Sequence, residues 1–430
     1  MNRDILRLAI PNIISNITVP LLSMVDMSIV GHLSLEVYIG AIATATLIFN
    51  FMYWSFSFLR MGTSGFTAQA YGAGNRHEIS STLLRSLFIA FSAGVLIIIL
   101  QQGIFSIAFR LIKASPDVLM YARQYFNIYI WAAPAVLGMY AFSGWFVGMQ
   151  DAKTPMIIAI ATNIINIGLS LIFVYVLRME LKGVALGSTI AQLSGFTLAF
   201  VIWFIKYKEV RINIDLNKLK DLKSYIPFFK VNSDIFIRTM LLIAVTTFFT
   251  STSARMGNSL LAANALLMQL FILFSYMMDG FAYAAEALTG RFVGARDTDS
   301  LQRLIKSLFI WGVVLAILFT LTYGLLTEQI LGLLTNKADI IALCKQYQLW
   351  VLLIPIAGFS AFLWDGIFIG ATASRQMRNS MFVAVGCFFL VYYSLASSFG
   401  NNALWLAFII YLAMRGIMQA FMYKRIKLTI

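Results

Sequence analysis

The sequence predicts an all-α integral membrane protein with twelve transmembrane helices arranged as two six-helix bundles. Hydrophobic residues make up 60% of the 430-residue chain and charged residues only 12%, with a mean hydropathy of +0.84. Soluble domains carry about 25% charged residues, so this composition excludes a soluble core. A bilayer span needs about 20 apolar residues, and twelve such windows favour helices over the strands of a barrel.

An even number of spans places both termini on one side of the membrane, and the basic residues indicate which side. That side carries 21 Lys and Arg, the opposite side 8, and three (Arg60, Arg238 and Arg415) lie within spans. By the positive-inside rule both termini are cytoplasmic in a cell (inner) membrane, and the net charge of +14 does not indicate nucleic-acid binding. The predicted spans are 5–31, 39–70, 83–110, 119–149, 154–177, 183–205, 226–252, 259–290, 302–326, 339–370, 377–398 and 401–423.

Several common signatures are missing from the sequence. The first residues, MNRDILRLAIPNII, lack a small-residue cleavage site, so we expect them to begin span 1 rather than a cleaved signal peptide. Cys344 and Cys387 have no CxxC spacing, which predicts neither a disulfide framework nor a metal site. Without a GxxxxGK[ST] loop or an HExxH motif, we expect no cofactor and an ion gradient as the source of energy.

The longest polar segment divides the chain near its middle. It runs from Lys206 to Lys223 and predicts an N lobe at 1–205, a cytoplasmic linker at 206–225 and a C lobe at 226–430. The spacing of Leu216, Leu219 and Leu222 suggests a short amphipathic helix on the membrane surface. A solvated connector without a binding role is the simpler interpretation.

The two halves are similar at a single offset of 222 residues. GWFVG at 144–148 falls on GIFIG at 366–370, and Gly72 and Ala73 fall on Gly294 and Ala295. Repeats with an even number of helices have parallel topology and are related by a pseudo-two-fold axis along the membrane normal. The expected architecture is therefore two bundles that flank a central cleft.

Asp26 is the leading candidate for ion coupling. It lies in span 1 within ITVPLLSMVDMSIVG, where a carboxylate has to face protein or a water-filled cavity. Burial favours the protonated form of a carboxyl group, which suits a residue that takes up and releases a proton. The competing interpretation is a carboxylate that caps the outer end of the helix.

Uncharged polar side chains of neighbouring spans could hydrogen-bond Asp26 or complete an oxygen shell around a cation. Hydrogen bonding that only holds helices together is an equally open interpretation for each of them. The candidates in spans 5 and 6, and weaker ones in spans 4 and 2, are Asn163, Asn166, Thr189, Gln192, Tyr129 and Asn50.

A second group of ionisable residues lies in the second half. Arg238 is in span 7, Asp279 and Glu286 are in span 8, and Asp365 is in span 10. Three acids and one arginine leave a surplus of negative charge, which predicts a protonated carboxyl or a bound cation. A static ion-pair network is the alternative. We expect Arg415 to extend instead toward the cytoplasmic end of span 12.

Three stretches carry a resemblance to a known family: GAIATATLIFNFMYWSFSFLRMGTSGFTAQAYGAGN, GMQDAKTPM and AANALLMQLFILFSYMMDGFAYAAEALTGRFVGARD. They resemble the multidrug and toxic compound extrusion (MATE) family, in particular its DinF-like branch. The resemblance covers nearly the whole chain. It implies a twelve-helix antiporter that exports cationic, amphipathic compounds in exchange for H⁺ or Na⁺.

The resemblance also implies roles for individual residues. Asp26 matches the acid of span 1 that binds the proton or cation, and Pro11 matches a proline linked to the bending of that helix. Asn163 matches an amide of the same site, whereas Ile167 stands where some members have a second acid. That departure favours H⁺ over Na⁺. Asp365 is the best counterpart of an acid in the C lobe.

Two other functions remain open. A flippase for lipid-linked precursors has a related two-lobed fold, but it should carry several cationic residues in its cleft. A membrane-embedded enzyme is a remote alternative, because no paired catalytic motif occurs at a membrane face. The expected partners are small amphipathic or cationic substrates and membrane lipids, and the chain is expected to be a monomer.

Overall fold

A computed structural model describes residues 1–33, 35, 37–112, 114–211, 223 and 225–426. Within these residues the chain is helical and contains no β-strand. The predicted amphipathic helix around Leu216, Leu219 and Leu222 lies outside them. The helices are α1 (Asn2–Gly31), α2 (Val37–Ser55), α3 (Phe58–Gly72), α4 (Arg76–Ile99), α5 (Gln101–Leu111), α6 (Pro116–Tyr129), α7 (Ala133–Gly148), α8 (Lys153–Leu171), α9 (Glu180–Lys206), α10 (Lys208–Arg211), α11 (Tyr225–Arg255), α12 (Asn258–Gly294), α13 (Thr298–Leu334), α14 (Ala338–Gln346), α15 (Gln348–Gly370), α16 (Ser374–Phe399) and α17 (Asn401–Ile426).

Twelve helical segments of the described chain are long and apolar enough to cross a membrane, which confirms the predicted fold class. Helices α2 and α3 together form one segment, and so do α6 and α7, which are joined by a 3₁₀ turn at Ile130–Ala132. A π turn at Ile172–Val176 extends α8. The remaining segments are α1, α4, α9, α11, α12, α13, α15, α16 and α17.

Several helix ends differ from the prediction, because helices continue beyond their apolar windows or break within them. Span 3, predicted at 83–110, begins at Arg76 and breaks after Ile99 into α4 and α5. Span 9, predicted to end at 326, continues to Leu334. Span 10, predicted at 339–370, is divided at Tyr347 into α14 and α15. Hydropathy detects the apolar part of a helix and misses its polar turns.

The chain divides into two compact units. The N unit comprises Ile10–Phe229, and the C unit comprises Met1–Ala9 together with Lys230–Ile430. Helix α1 belongs to both, because its first turns group with the C unit and its remainder with the N unit. The lobe limits at 1–205 and 226–430 stay a prediction.

The sequence repeat appears as the same helix contact in each unit. In the N unit, a Cβ atom added to Gly144 of α7 would overlap the carbonyl oxygen of Arg60 in α3. In the C unit, a Cβ added to Gly366 of α15 would overlap the carbonyl oxygen of Ala282 in α12. Both pairs are related by the offset of 222 residues. Only glycine allows the two backbones to approach so closely.

Helices α4 and α13, which follow α3 and α12 along the chain, begin with equivalent caps. Asn75 Oδ1 accepts the backbone N–H of Glu78 at 3.0 Å, and Asp297 Oδ1 accepts that of Ser300 at 2.9 Å. Such caps satisfy a backbone donor that has no partner within the helix. The hydrogen bonds from Ser300 also lower the pKa of Asp297.

Asp151 of the GMQDAKTPM motif connects the C-terminal end of α9 to the N-terminal end of α8 by hydrogen bonds. Asp151 accepts hydrogen bonds from Lys206 Nζ at 2.7 Å, Tyr207 Oη at 2.8 Å and Thr154 Oγ1 at 2.6 Å. Burial opposes ionisation of this carboxyl, but the hydrogen bonds prevail and hold the pKa of Asp151 below its ordinary value. The Tyr207 ring packs edge-on against Trp145, with centroids 4.8 Å apart.

Replacing Gly366 by alanine is expected to lower the free energy of unfolding by about 1–3 kcal/mol, because the added methyl group overlaps a backbone carbonyl. Gly144→Ala should cost a similar amount. The matched control is Gly168→Ala in α8, where no described atom lies within 4 Å of the added methyl group. Thermal unfolding of the purified protein in detergent measures all three, and an equal loss in the control would contradict the close contact.

Candidate functional site

Asp26 lies in α1 and is half-buried. Its Oδ1 atom is fully buried and accepts no hydrogen bond from the part of the chain that the structure describes. A buried carboxylate oxygen without a donor is costly, because it has lost its hydration and gained nothing in exchange. Asp26 is therefore suited to bind a proton or a cation.

Two tyrosines of α6 lie close to Asp26. Tyr125 and Tyr129 both interact electrostatically with its carboxyl group. Their ring centroids are 5.8 Å apart, and Phe49 of α2 packs edge-on against Tyr129 at 4.7 Å. The surroundings of Asp26 therefore combine apolar ring surface with phenol groups, whose hydroxyls can donate or accept hydrogen bonds.

Helix α9 extends this group with polar side chains close to the same tyrosines. Ser188 lies near the hydroxyl of Tyr125, and Gln192 lies near that of Tyr129. Asn166 Nδ2 of α8 donates to Ser188 Oγ at 3.0 Å. The structure therefore brings Asn166, Gln192 and Tyr129 into one polar group beside Asp26.

The other candidates of the first half lie elsewhere or make different bonds. Asn163 Nδ2 contacts the backbone carbonyl of Thr18 in α1 at 3.4 Å. Thr189 Oγ1 donates to the carbonyl of Ala185 in its own helix at 2.8 Å. Asn50 is exposed on α2. Asn163 is thus the member of this set that reaches the helix carrying Asp26.

Two prolines interrupt the hydrogen bonding of α1. Pro11 and Pro20 both lie inside the helix, and neither can donate a backbone N–H to the preceding turn. Ser15 Oγ donates to the carbonyl of Pro11 at 3.0 Å. Proline positions are where helices bend most readily. A role of Pro11 in bending stays a prediction.

Asp365 is the centre of the polar group in the C unit. Arg238 of α11 and Arg415 of α17 both donate to its Oδ2, Arg415 from Nη2 at 2.7 Å. Gln419 Nε2 donates to its Oδ1 at 2.5 Å. Only 5% of the surface of Asp365 and 2% of that of Arg415 is exposed, so both side chains are buried.

The prediction for Arg415 was wrong. Its guanidinium does not extend toward the membrane surface, because Asp365 offers a buried partner. Asp279 of α12 also interacts electrostatically with Arg415. The cluster around Asp365 therefore contains two arginines and two aspartates, whose charges balance. The predicted surplus of negative charge included a third acid, Glu286, which is buried on α12 with 1% exposed.

The sequence analysis did not identify some residues of the polar groups around Asp26 and Asp365. For two of them, the spacing along the helix could have indicated their position. Tyr125 precedes Tyr129 by four residues, and Gln419 follows Arg415 by four. Residues four apart share one face of a helix, so each pair marks a polar stripe on an apolar segment. Ser188 lacks such a signal, because single serines are common in membrane helices.

The charge balance of the C unit predicts a specific pattern of stability. Asp365→Asn and Arg415→Gln should each lower the free energy of unfolding by about 3–5 kcal/mol, because each leaves an uncompensated buried charge. The double variant restores the balance and should lose less than the sum of the single variants. Thermal unfolding measures the cycle, with the exposed Asp299→Asn as control. Strict additivity would contradict the pairing.

Comparisons with known proteins agree with this architecture. A family model described as MatE matches residues 11–172 and 235–396. The chain is 38% identical to DNA damage-inducible protein F of Escherichia coli (strain K12) over 97% of this chain and 91% of that protein. It is 23% identical to the probable multidrug resistance protein NorM of Thermotoga maritima, over 80% and 75% of the two chains.

Solved structures of MATE transporters have the same fold. A MATE protein in the bent conformation superposes with a TM-score of 0.88 at 19% identity, covering 100% of this chain and 95% of that one. An outward-facing multidrug resistance MATE family transporter gives a TM-score of 0.84 at 19% identity, covering 99% and 95%. With the family model matched in both halves and the relative from Escherichia coli matched over 97% of this chain, the chain belongs to the MatE family, as a relative of DNA damage-inducible protein F.

Proposed function

We propose that this protein is a secondary active multidrug efflux antiporter that exports cationic and amphipathic compounds by alternating access, in exchange for protons. Members of its family are transporters rather than enzymes. Relatives are named as multidrug resistance and multidrug and toxin extrusion proteins. The protein acts as a monomer in the cell (inner) membrane, with both termini cytoplasmic. It contacts membrane lipids and needs no cofactor besides the coupling ion.

The observation that carries this proposal is the environment of Asp26. Its buried Oδ1 has no hydrogen-bond donor among the described residues, and the two nearby partners are the neutral phenols of Tyr125 and Tyr129. A proton or a cationic substrate can each neutralise this carboxylate. Binding of one then disfavours binding of the other, and this competition is what couples two fluxes.

The ligands near Asp26 favour a proton over Na⁺. A hard cation takes several oxygen ligands at once. The Asn166 amide is already engaged, since it donates to Ser188 and its Oδ1 accepts from Ser170 at 3.4 Å. Ile167, where some family members carry an acid, offers no oxygen. One carboxylate beside tyrosine hydroxyls suits proton transfer better than cation coordination.

In the proposed cycle, substrate binds while the transporter is open to the cytoplasm and is released on the outside. A proton arriving from outside neutralises Asp26 and removes its attraction for a cationic substrate. Helix α1 changes shape at its prolines, where its own hydrogen bonding is weakest. Return to the inward state delivers the proton to the cytoplasm.

Asp26→Asn should lower substrate-driven proton flux in proteoliposomes by about tenfold or more, because the amide cannot exchange a proton at this position. The protein should still insert and purify as the parent does. Asp299→Asn, an exposed carboxylate in α13, is the matched control and should keep full flux. Undiminished antiport in Asp26→Asn would remove Asp26 from the mechanism.

Imposing H⁺ and Na⁺ gradients separately on proteoliposomes identifies the coupling ion. We expect an H⁺ gradient alone to drive uptake of a fluorescent cation such as ethidium, and an Na⁺ gradient alone to leave it at the level of empty vesicles. Transport driven by Na⁺ alone would overturn the assignment.

A flippase for anionic lipid precursors is the second candidate, and the charge of the C unit argues against it. Arg238 and Arg415 are the two buried arginines of the Asp365 cluster, and Asp365 and Asp279 balance them. No surplus of positive charge remains in that cluster to bind a diphosphate. Translocation of a labelled lipid diphosphate without any ion gradient would favour the flippase.

A further inference from the structure

The carboxylate of Asp365 is surrounded by donors that belong to the protein itself. Two guanidinium groups, those of Arg238 and Arg415, donate to Oδ2, and the amide of Gln419 donates to Oδ1. Charge-assisted hydrogen bonds of this kind are among the strongest that a carboxylate makes. A proton or a metal cation bound at Asp365 would have to compete with these donors and with the positive charge of the two guanidinium groups.

The charged residues that the structure links to this carboxylate by salt bridges or electrostatic interaction can be counted. Helix α11 contributes Arg238, α12 contributes Asp279, α15 contributes Asp365 itself, and α17 contributes Arg415. Tyr411 of α17 also interacts with Arg415. These four charged residues carry two positive and two negative charges, so they balance without an ion from outside. Glu286 of α12 is a further buried carboxyl group and is not included in this count.

Arg415 is held firmly in this position. Only 2% of its surface is exposed, and its guanidinium carbon lies 5.5 Å from the ring centroid of Tyr411 and 5.8 Å from that of Phe362. Cation–π contacts are strongest when the cation is desolvated, as this arginine is. The side chain comes from a helix 50 residues further along the chain than Asp365, so the pairing joins α15 to α17.

We propose that Arg415 is a tethered counter-cation that takes the place of a coupling ion at Asp365, so that the C unit binds neither H⁺ nor Na⁺ at this carboxylate. Arg415 then determines the ion stoichiometry, because it leaves Asp26 as the site that sets how many ions move in each cycle. This consequence for stoichiometry rests on the proposed antiport. The charge balance of the four residues around Asp365 does not depend on the proposed antiport.

Removing Arg415 should convert the cluster into a cation site. Of the four charged residues counted above, Asp365, Asp279 and Arg238 would then remain, and their charges sum to one negative charge. An unpaired buried charge is strongly destabilising, so the site gains stability by taking up a proton or Na⁺. Ligand binding to the folded state alone raises the temperature of unfolding.

The experiment measures thermal unfolding of the purified full-length protein in the Asp26→Asn background, which removes the other proposed ion site. Each variant is unfolded in Na⁺ and in choline at equal ionic strength, and across a pH series. When Arg415→Gln is added, the temperature of unfolding should be about 2–4 °C higher in Na⁺ than in choline, or should rise by that amount as the pH is lowered. This size applies at ion concentrations about fivefold above the dissociation constant. Adding Asp365→Asn to that variant should abolish the rise.

Two results would overturn the proposal. One is an Arg415→Gln protein that responds to neither Na⁺ nor pH more than its background. The other is an Asp26→Asn protein whose unfolding temperature depends on Na⁺ or pH and loses that dependence when Asp365→Asn is added. That result would locate an ion at Asp365 in the presence of Arg415. This second comparison does not involve Arg415→Gln. If that variant fails to fold, the comparison still tests whether an ion binds at Asp365 while Arg415 is present. Every sample lacks Asp26, so the outcome is independent of whether Asp26 couples transport.

Discussion

Charged side chains among apolar helices have to be neutralised where they lie, because neither lipid nor packed side chains can solvate them. The two units meet this requirement differently. In the C unit, Asp365 receives two arginines and a glutamine from other helices. In the N unit, the hydroxyls of Tyr125 and Tyr129 lie near Asp26, and its Oδ1 accepts no hydrogen bond from a described residue. The first carboxylate is thus neutralised by side chains of the protein, whereas the second has a buried oxygen without a described donor.

This difference is built on a shared scaffold. Gly144 and Gly366 make the same close approach to a neighbouring helix, and the caps at Asn75 and Asp297 are equivalent. Side chains are free to differ once such backbone contacts are in place. At the offset of 222 residues, Glu286 takes the position of Ser64. The repeat therefore preserves the packing of helices while the polar groups diverge.

Helix α1 combines a buried carboxyl group with an interrupted backbone. It carries Asp26, contains two prolines, and groups with the C unit over residues 2–9 and with the N unit thereafter. Asn163 contacts its backbone at Thr18, between Pro11 and Pro20. Asp26 thus lies on a helix whose internal hydrogen bonding is interrupted at its prolines, and such positions are where helices bend most readily.

Composition and periodicity alone determined the membrane class, the twelve spans and the repeat offset, and they marked Asp26 and Asp365 as candidates, because each is a local property or a comparison of the chain with itself. The partners of those acids were decided only by the tertiary structure. Arg238 and Arg415 are 127 and 50 residues from Asp365 along the chain, and Tyr125 and Ser188 meet from different helices. Hydropathy cannot tell which helices pack together, and an arginine in an apolar segment looks the same whether it extends to the membrane surface or pairs with a buried acid. Helix packing makes that choice.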